Sequence, residues 1–285
     1  MNKKAVKKPP QGFEDLKIEI SSRYESLSKR LRDIARFALD NPSIMALETI
    51  ANIAKTAKVQ PSALIRFAQA LGYSGFSQMQ RVFQAYVAEQ SASYKERIRS
   101  ELAQKDVPTP DSPASLLQQY CEANIVSLRH LEEGINSEAL EKAVRLIGDA
   151  DHIYIMAQRR SFPVANYLTY MLSHVDCRTH VLDGLGGMIW EQAQGMTKQD
   201  LLIAVSFYPY AEETVNIVKE AKDKGLPVIG ISDSDLSPIC ANADAHFRIH
   251  DAEVHHFRSL SATMLLAQVL ATSLAFEIEK NGHQA

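Results

Sequence analysis

LETIANIAKTAKVQPSALIRFAQALG, residues 47–72, holds two short apolar-periodic segments joined by a tight turn. In the first, Leu47 to Lys55, the residues Ile50, Ile53 and Ala54 recur at the spacing of one helical face and are expected to point inward. In the second, Gln60 to Leu71, Pro61 stands at a first-turn position and Gly72 offers a left-handed stop, which predicts a helix over that span. Two short helices this closely joined predict a helix-turn-helix. Leu64, Ile65, Phe67, Ala68 and Leu71 are expected to face the core. Ser62, Ala63, Arg66 and Gln69 are left outward, with Gln60 at the helix start. Such an outward face can enter a major groove, where Ser, Arg and Gln suit base edges and phosphates.

Working outward, the first third is helical throughout and shows no strand. Leu27, Leu31, Ile34, Ala35, Phe37 and Ala38 keep helical spacing up to Asp40-Asn41-Pro42. The stretch KDVPTPDSP, residues 105–113, puts three prolines among polar residues and is expected to be a linker. Beyond a helical region at 114–149, five short runs alternate with helix-length segments: HIYIMA (152–157), RTHVL (178–182), LLIAVS (201–206), PVIGIS (227–232) and DAHFRI (244–249). Short Ile- and Val-rich runs separated by helices predict parallel strands with crossovers on both faces. The expected fold is an all-α helix-turn-helix domain followed by an α/β domain with a five-stranded, doubly wound parallel sheet. The expected layout is a flexible basic tail at 1–16, a helical domain at 17–104, the linker at 105–113 and the α/β domain at 114–285.

Charge divides along the same line. The chain has 285 residues and a formal net charge of −3. Residues 1–105 carry 18 Lys and Arg against 10 Asp and Glu, a balance of +8, and the remainder carries 13 against 24, a balance of −11. A basic head suits a polyanionic duplex, since phosphate neutralisation supplies most sequence-independent affinity. Lys55, Lys58 and Arg81 are candidate phosphate contacts, with ordinary surface charge as the alternative. Cys121, Cys177 and Cys240 lie far apart with no metal-ligand spacing and are expected to be buried free thiols, without metal or cofactor. The N-terminus lacks an apolar signal and no window holds about 18 uninterrupted apolar residues, so a cytoplasmic protein with no membrane partner is expected.

The segment from Ser28 through Ala38, with Ala54, Val59, Arg66-Phe67, Leu71-Gly72-Tyr73, Ser74-Gly75-Phe76 and Met79, resembles the N-terminal domain of the RpiR/MurR regulators, in which R-F followed by L-G-[FY]-x-G-F is characteristic. The resemblance covers almost the whole chain. It implies a C-terminal sugar isomerase (SIS) domain and a DNA-binding transcription regulator, expected to repress sugar or polyol catabolism genes. It is expected to act as a homodimer or homotetramer on operator DNA. The SIS domains are expected to associate through the apolar run from Met264 to Phe276.

Ligands of such a sheet are expected beyond the carboxyl ends of the strands. The loop after the first strand reads Gln158-Arg159-Arg160-Ser161, and that after the third reads Ser206-Phe207-Tyr208-Pro209-Tyr210-Ala211-Glu212-Glu213-Thr214. SIS domains usually carry G-x-G-x-S and S-x-S-G-x-T there. Ser161 and Ser206 match; Ala157 and Arg159 replace glycines, and Tyr208, Pro209 and Ala211 replace the second Ser, the Gly and the Thr. Arg159 and Arg160 offer guanidinium forks for an anion, and Tyr208 and Tyr210 offer flat faces and hydroxyls for a sugar or polyol ring. The competing reading pairs one arginine with Glu212 or Glu213. Thr214, and Gly186 and Gly187 of the loop after the second strand, complete the candidate set. Ser232-Asp233-Ser234 and His255-His256-Phe257-Arg258-Ser259 are placed to close the pocket. A sugar phosphate, a sugar acid and a polyol derivative all remain open as effector. Glu212, Glu213, Glu253 and His255 are bases by type, but no spacing singles one out, so an isomerase is the alternative and a non-enzyme is expected.

Overall fold

The computed structural model describes residues 9–91 and 110–282, together with Glu96, Ile98, Arg99 and Leu102. The chain forms two compact units, Met1–Val107 and Pro108–Ala285. Residues 105–109 of the expected linker and 1–8 of the expected tail lie outside the described residues.

The first unit is built of α1 (Phe13–Arg23), α2 (Lys29–Asp40), α3 (Pro42–Leu47), α4 (Ile50–Thr56), α5 (Pro61–Ala70) and α6 (Phe76–Ser91). Helix α1 begins inside the stretch expected to be tail. Its Phe13, Leu16 and Ile20 form one apolar stripe, and all three are buried. Phe13 stacks on Tyr86 at 3.9 Å between ring centroids and meets Phe83 edge-on at 5.4 Å. Burying such a stripe stabilises by roughly 1.5–3 kcal/mol per large side chain, enough to order a segment that a basic flank alone would leave free.

Helix-stop chemistry fixes the angle between α4 and α5. Lys58 takes a left-handed φ of 53° just past α4. Its N–H reaches the Lys55 carbonyl and the Val59 N–H reaches that of Ala54, the paired bonds of a Schellman stop. Gly72, at φ 93°, closes α5 in the same way, with Gly72 N–H on Gln69 and Tyr73 N–H on Ala68. The Arg23 guanidinium donates to the Ala70 carbonyl at 2.7 Å, placing a cation at the negative end of α5. From α6, Gln80 donates to the carbonyls of Met45 and Glu48, and Gln84 to that of Ala46. These bonds tie α6 to the entrance of α4.

At the end of α2, Asp40 is half-buried, and its Oδ1 is buried with no hydrogen-bond partner among the described residues. Burial raises its carboxyl to about 6, opposed in part by Arg36. The folded chain therefore holds this proton more tightly than the unfolded one, and the associated stability, full at low pH, is lost as pH rises through about 6. Asp40→Asn is expected to melt at higher temperature at pH 8, with a gain of about 2 kcal/mol, and to show little gain at pH 4. Thermal melts of both proteins across this range check it; equal slopes against pH would overturn it.

The second unit carries α7 (Pro113–Gly134) and α8 (Ser137–Gly148), then β1 (Ile153–Ala157), α9 (Phe162–Ser173), β2 (Thr179–Val181), α10 (Ile189–Gln194), β3 (Leu201–Val205), α11 (Glu212–Asp223), β4 (Val228–Ser232), β5 (Ala245–Arg248) and α12 (Ser261–Gly282). All five expected strands form, in the order β2-β1-β3-β4-β5 and with every pairing parallel. Strands β3 and β4 are buried at every residue, which is why they read as unbroken apolar runs. A short hairpin not foreseen from sequence, β6 (Glu253–Val254) with β7 (Phe257–Arg258), precedes α12. Its turn residues, His255 and His256, both take left-handed backbone conformations, as a two-residue hairpin loop of this hand requires.

Helix α12 is long and apolar enough to cross a membrane by length and composition. Its Ala262, Leu266, Leu270 and Leu274 are nevertheless buried in the sheet core. Of the run expected to join subunits, this stripe is consumed internally; Leu265 and Phe276 remain exposed. Of the three thiols, all free, Cys240 is buried, Cys177 is half-buried and Cys121 is exposed, the last against expectation because it lies on an outer face of α7.

Candidate functional site

Helix α5 packs on α2, α4 and α6. Those contacts set which of its faces is outer. Ser62, Arg66 and Gln69 are exposed, as are Gln60 at the N-cap and Lys55, Lys58 and Arg81. Two assignments change places. Ala63 is 1% exposed and Ile65 is 39% exposed, so the alanine belongs to the core and the isoleucine to the outer face. The core stripe runs Ala63, Leu64, Phe67, Ala68 and Leu71. The side chain of Arg66 makes no ion pair or hydrogen bond among the described residues, and neither do those of Ser62 and Gln69.

In the second unit, the order β2-β1-β3-β4-β5 reverses direction between β1 and β3. A crevice opens at the carboxyl ends of strands at such a switch point. The loop after β1 supplies Arg160. Its Nη1 donates to the Ser259 carbonyl at 2.8 Å, and its guanidinium carbon lies 5.1 Å from the centre of the Phe207 ring. Among the described residues no carboxylate comes within ion-pair distance of it and no second hydrogen bond engages its five-donor fork. Arg160 thus does not pair with Glu212 or Glu213, which lie exposed in the first turn of α11. Burial and the nearby Arg258 cation make its charge costly, while Asp251, Asp233 and Glu253 favour it from further off.

Around Arg160 the other loops are tied to one another. Asp233, after β4, accepts from the Tyr210 hydroxyl at 3.1 Å and from the Tyr208 N–H at 3.4 Å. Arg258 of the hairpin donates to the Tyr208 carbonyl at 3.1 Å and to Glu253 at 2.7 Å. His255 meets Gln119 of α7 at 2.7 Å, which anchors the hairpin. Asp251 accepts from the N–H groups of Ala262 and Thr263 and from the Thr263 hydroxyl, filling the N-terminus of α12. Burial still raises its carboxyl above the usual range.

Several expected ligand contacts lie beneath the surface. Ser161, Ser206, Tyr208 and Thr214 are all buried. The Ser206 hydroxyl accepts the Ala211 N–H at 3.4 Å, whereas the Thr214 hydroxyl has no partner among the described residues. Arg159 is exposed, in a left-handed conformation and without an ion pair among the described residues. Gly186 and Gly187, both at positive φ, are exposed beyond the edge strand β2, and no hydrogen bond joins them to the Arg160 cluster. Of the candidate bases, Glu253 is engaged by Arg258 and lies 3.7 Å from His256. No group of three or more metal-ligating side chains is present among the described residues.

Comparison with known proteins follows the same division. Residues 14–90 match the helix-turn-helix domain of the rpiR family, and residues 146–273 match the SIS domain. An HTH-type transcriptional regulator of Haemophilus influenzae is 26% identical over 229 residues, 79% of this chain and 76% of that protein. Another from Caldanaerobacter subterraneus subsp. tengcongensis is 22% identical over 85% of this chain and 82% of its own length. The sugar isomerase domain of an RpiR transcription factor from Sphaerobacter thermophilus superposes with a TM-score of 0.55 at 28% identity, covering 57% of this chain and 90% of that one. The Vibrio vulnificus NanR protein, solved with ManNAc-6P, superposes over 93% of both chains with a TM-score of 0.56 at 20% identity and so shares the fold.

Proposed function

From the premise that this chain belongs to the rpiR family of DNA-binding helix-turn-helix regulators that carry a SIS domain, we propose that it represses sugar or polyol catabolism genes in the cytoplasm and is released by an anionic effector. Helix α5 enters the major groove with Ser62, Arg66 and Gln69 on the base edges. Lys55, Lys58 and Arg81 hold phosphates. The effector lies in the crevice between β1 and β3, with its anionic group on the Arg160 fork and its ring near Tyr210.

The observation that carries the sensing role is Arg160 itself: a half-buried guanidinium at the switch point, with one hydrogen bond to Ser259 and, among the described residues, no carboxylate within ion-pair distance, although Asp251, Asp233 and Glu253 favour its charge from further off. A buried cation is costly unless paired, so a site of this kind favours an incoming anion. The neighbour solved with ManNAc-6P supports a phosphorylated sugar. The loss of the second Ser, the Gly and the Thr at the β3 loop, together with Asp233 holding the Tyr208 N–H, supports a carboxylate or polyol derivative that leans on Arg160. As a homodimer or homotetramer, the protein would present two α5 helices to half-sites about one helical turn apart. The effector acts only through its different affinities for the DNA-competent and incompetent arrangements; a coupling of about 1–3 kcal/mol changes operator affinity about 5- to 150-fold.

A mobility-shift titration with DNA upstream of the protein's own operon tests this. The expected result is sequence-specific retention that a sugar phosphate, a sugar acid or an inositol phosphate relieves. Retention indifferent to every such compound at saturation would sink the switch. Turnover of a sugar phosphate without retention would instead favour an isomerase.

A further inference from the structure

Beyond Pro61 in its first turn, Ile65 is the one large apolar residue of α5 turned outward. Ala63, Leu64, Phe67 and Ala68 are 1% exposed or less, whereas Ile65 is 39% exposed. At about 100° per residue, Ser62, Ile65, Arg66 and Gln69 fall within an arc of about 100°, opposite the buried stripe. The isoleucine therefore shares the outer face with the three polar residues, beside Ser62 and Gln69 at helical-neighbour spacing. A single exposed aliphatic is common on protein surfaces and means little alone. Here it costs helix propensity, because a β-branched side chain is stiffer in a helix than the Ala, Gln or Lys that would serve solvent equally well. Its surroundings also specify a partner of stated chemistry. The same face carries an arginine with no ion pair among the described residues and belongs to the helix-turn-helix match, in a segment of positive charge balance.

Given the reading above that α5 lies in the major groove, we infer that Ile65 reads sequence by packing against the C5-methyl group of a thymine. The division of labour on this face is chemical. Ser62, Arg66 and Gln69 address nitrogen and oxygen atoms of base edges, and thymine alone adds a methyl group to that edge. An apolar side chain distinguishes it by removing both surfaces from water.

The experiment begins by enriching duplexes from a random-sequence pool with the full-length protein. In the selected duplex each thymine is then replaced singly by deoxyuridine, which deletes only the methyl group. One thymine per half-site is expected whose replacement weakens binding about fourfold, the worth of one buried methyl-sized group. Ile65→Ala, which removes the contact in both half-sites at once, is expected to weaken the parent duplex about 16-fold and to abolish the difference between thymine and deoxyuridine there. Ile65→Val, which keeps the branched methyls, retains the difference. Melting temperatures of both variants should match the parent because the site is exposed.

A selected duplex that tolerates deoxyuridine at every thymine, or that contains none, overturns the assignment. So does a methyl preference that persists in Ile65→Ala. In those cases, loss of enrichment by Arg66→Ala shows that α5 still docks and only the methyl contact is wrong. Failure to enrich any sequence overturns the docking and the methyl contact together.

Discussion

Arg66→Ala is expected to abolish sequence-specific retention of duplex DNA while leaving the thermal melt of the full-length protein within about 0.5 kcal/mol of the parent. The second half follows from the fold. Arg66 is exposed and its side chain makes no ion pair or hydrogen bond among the described residues, so its removal leaves no buried group orphaned. The first half follows from what a guanidinium does at a base edge. A bidentate contact to guanine discriminates by about 1–3 kcal/mol, roughly 5- to 150-fold, for each helix engaged. Arg66→Lys separates charge from geometry: it keeps the cation and loses the planar fork, so it should bind all sequences comparably and specific ones poorly. Salt dependence gives a further reading. If Arg66 touches a phosphate instead, the alanine variant weakens all sequences alike and the slope of log affinity against log salt falls by about one. Unaltered specific retention by Arg66→Ala removes it from the interface.

The two halves of the chain were legible to different degrees, for physical reasons. Strands β1, β3 and β4 announce themselves because a sheet covered on both faces demands continuous Ile and Val, and 153–157, 201–205 and 228–232 supply it. The limits of α5 were equally plain, since Pro61 and Gly72 act locally. The phase of α5 was not. In Ala63-Leu64-Ile65 hydrophobicity favours the isoleucine for the core, but the helices packed around α5 decide, and they admit the smaller alanine.

Helix α1 was missed at its start because three apolar residues behind a basic stretch give a weak periodic signal. The Arg160 cluster could be approached only in part. Its members come from loops far apart in sequence: strand order brings Arg160 and Asp233 to one end of the sheet, and Arg258 comes from the separate β6–β7 hairpin. The hairpin that delivers Arg258 has two residues per strand, too few for alternation to show.

Arg160→Ala is expected to cut effector affinity by about 100-fold while sparing DNA binding in the absence of effector. A charge-assisted hydrogen bond to an ionic group contributes about 1.5–3 kcal/mol, and the fork can make two in parallel. A ligand at 100 times its dissociation constant stabilises the folded protein by about 2.7 kcal/mol; the same concentration acting on a 100-fold weaker site gives only about 0.4 kcal/mol. A thermal-shift panel of sugar 6-phosphates, sugar acids and inositol phosphates should therefore contain a compound that raises the melting temperature of the parent and hardly moves that of Arg160→Ala. The same compound should fail to release DNA from the variant.

Losing the hydrogen bond to Ser259 is a separate, structural consequence, and it appears as a lower melting temperature without ligand. Arg160→Lys tests geometry as well as charge. A lysine retains attraction for any anion but cannot bind one bidentately, so an intermediate affinity is expected. Compounds that stabilise parent and Arg160→Ala equally would place the anion elsewhere. The exposed Arg159, one residue away in the same loop, is then the next guanidinium to replace.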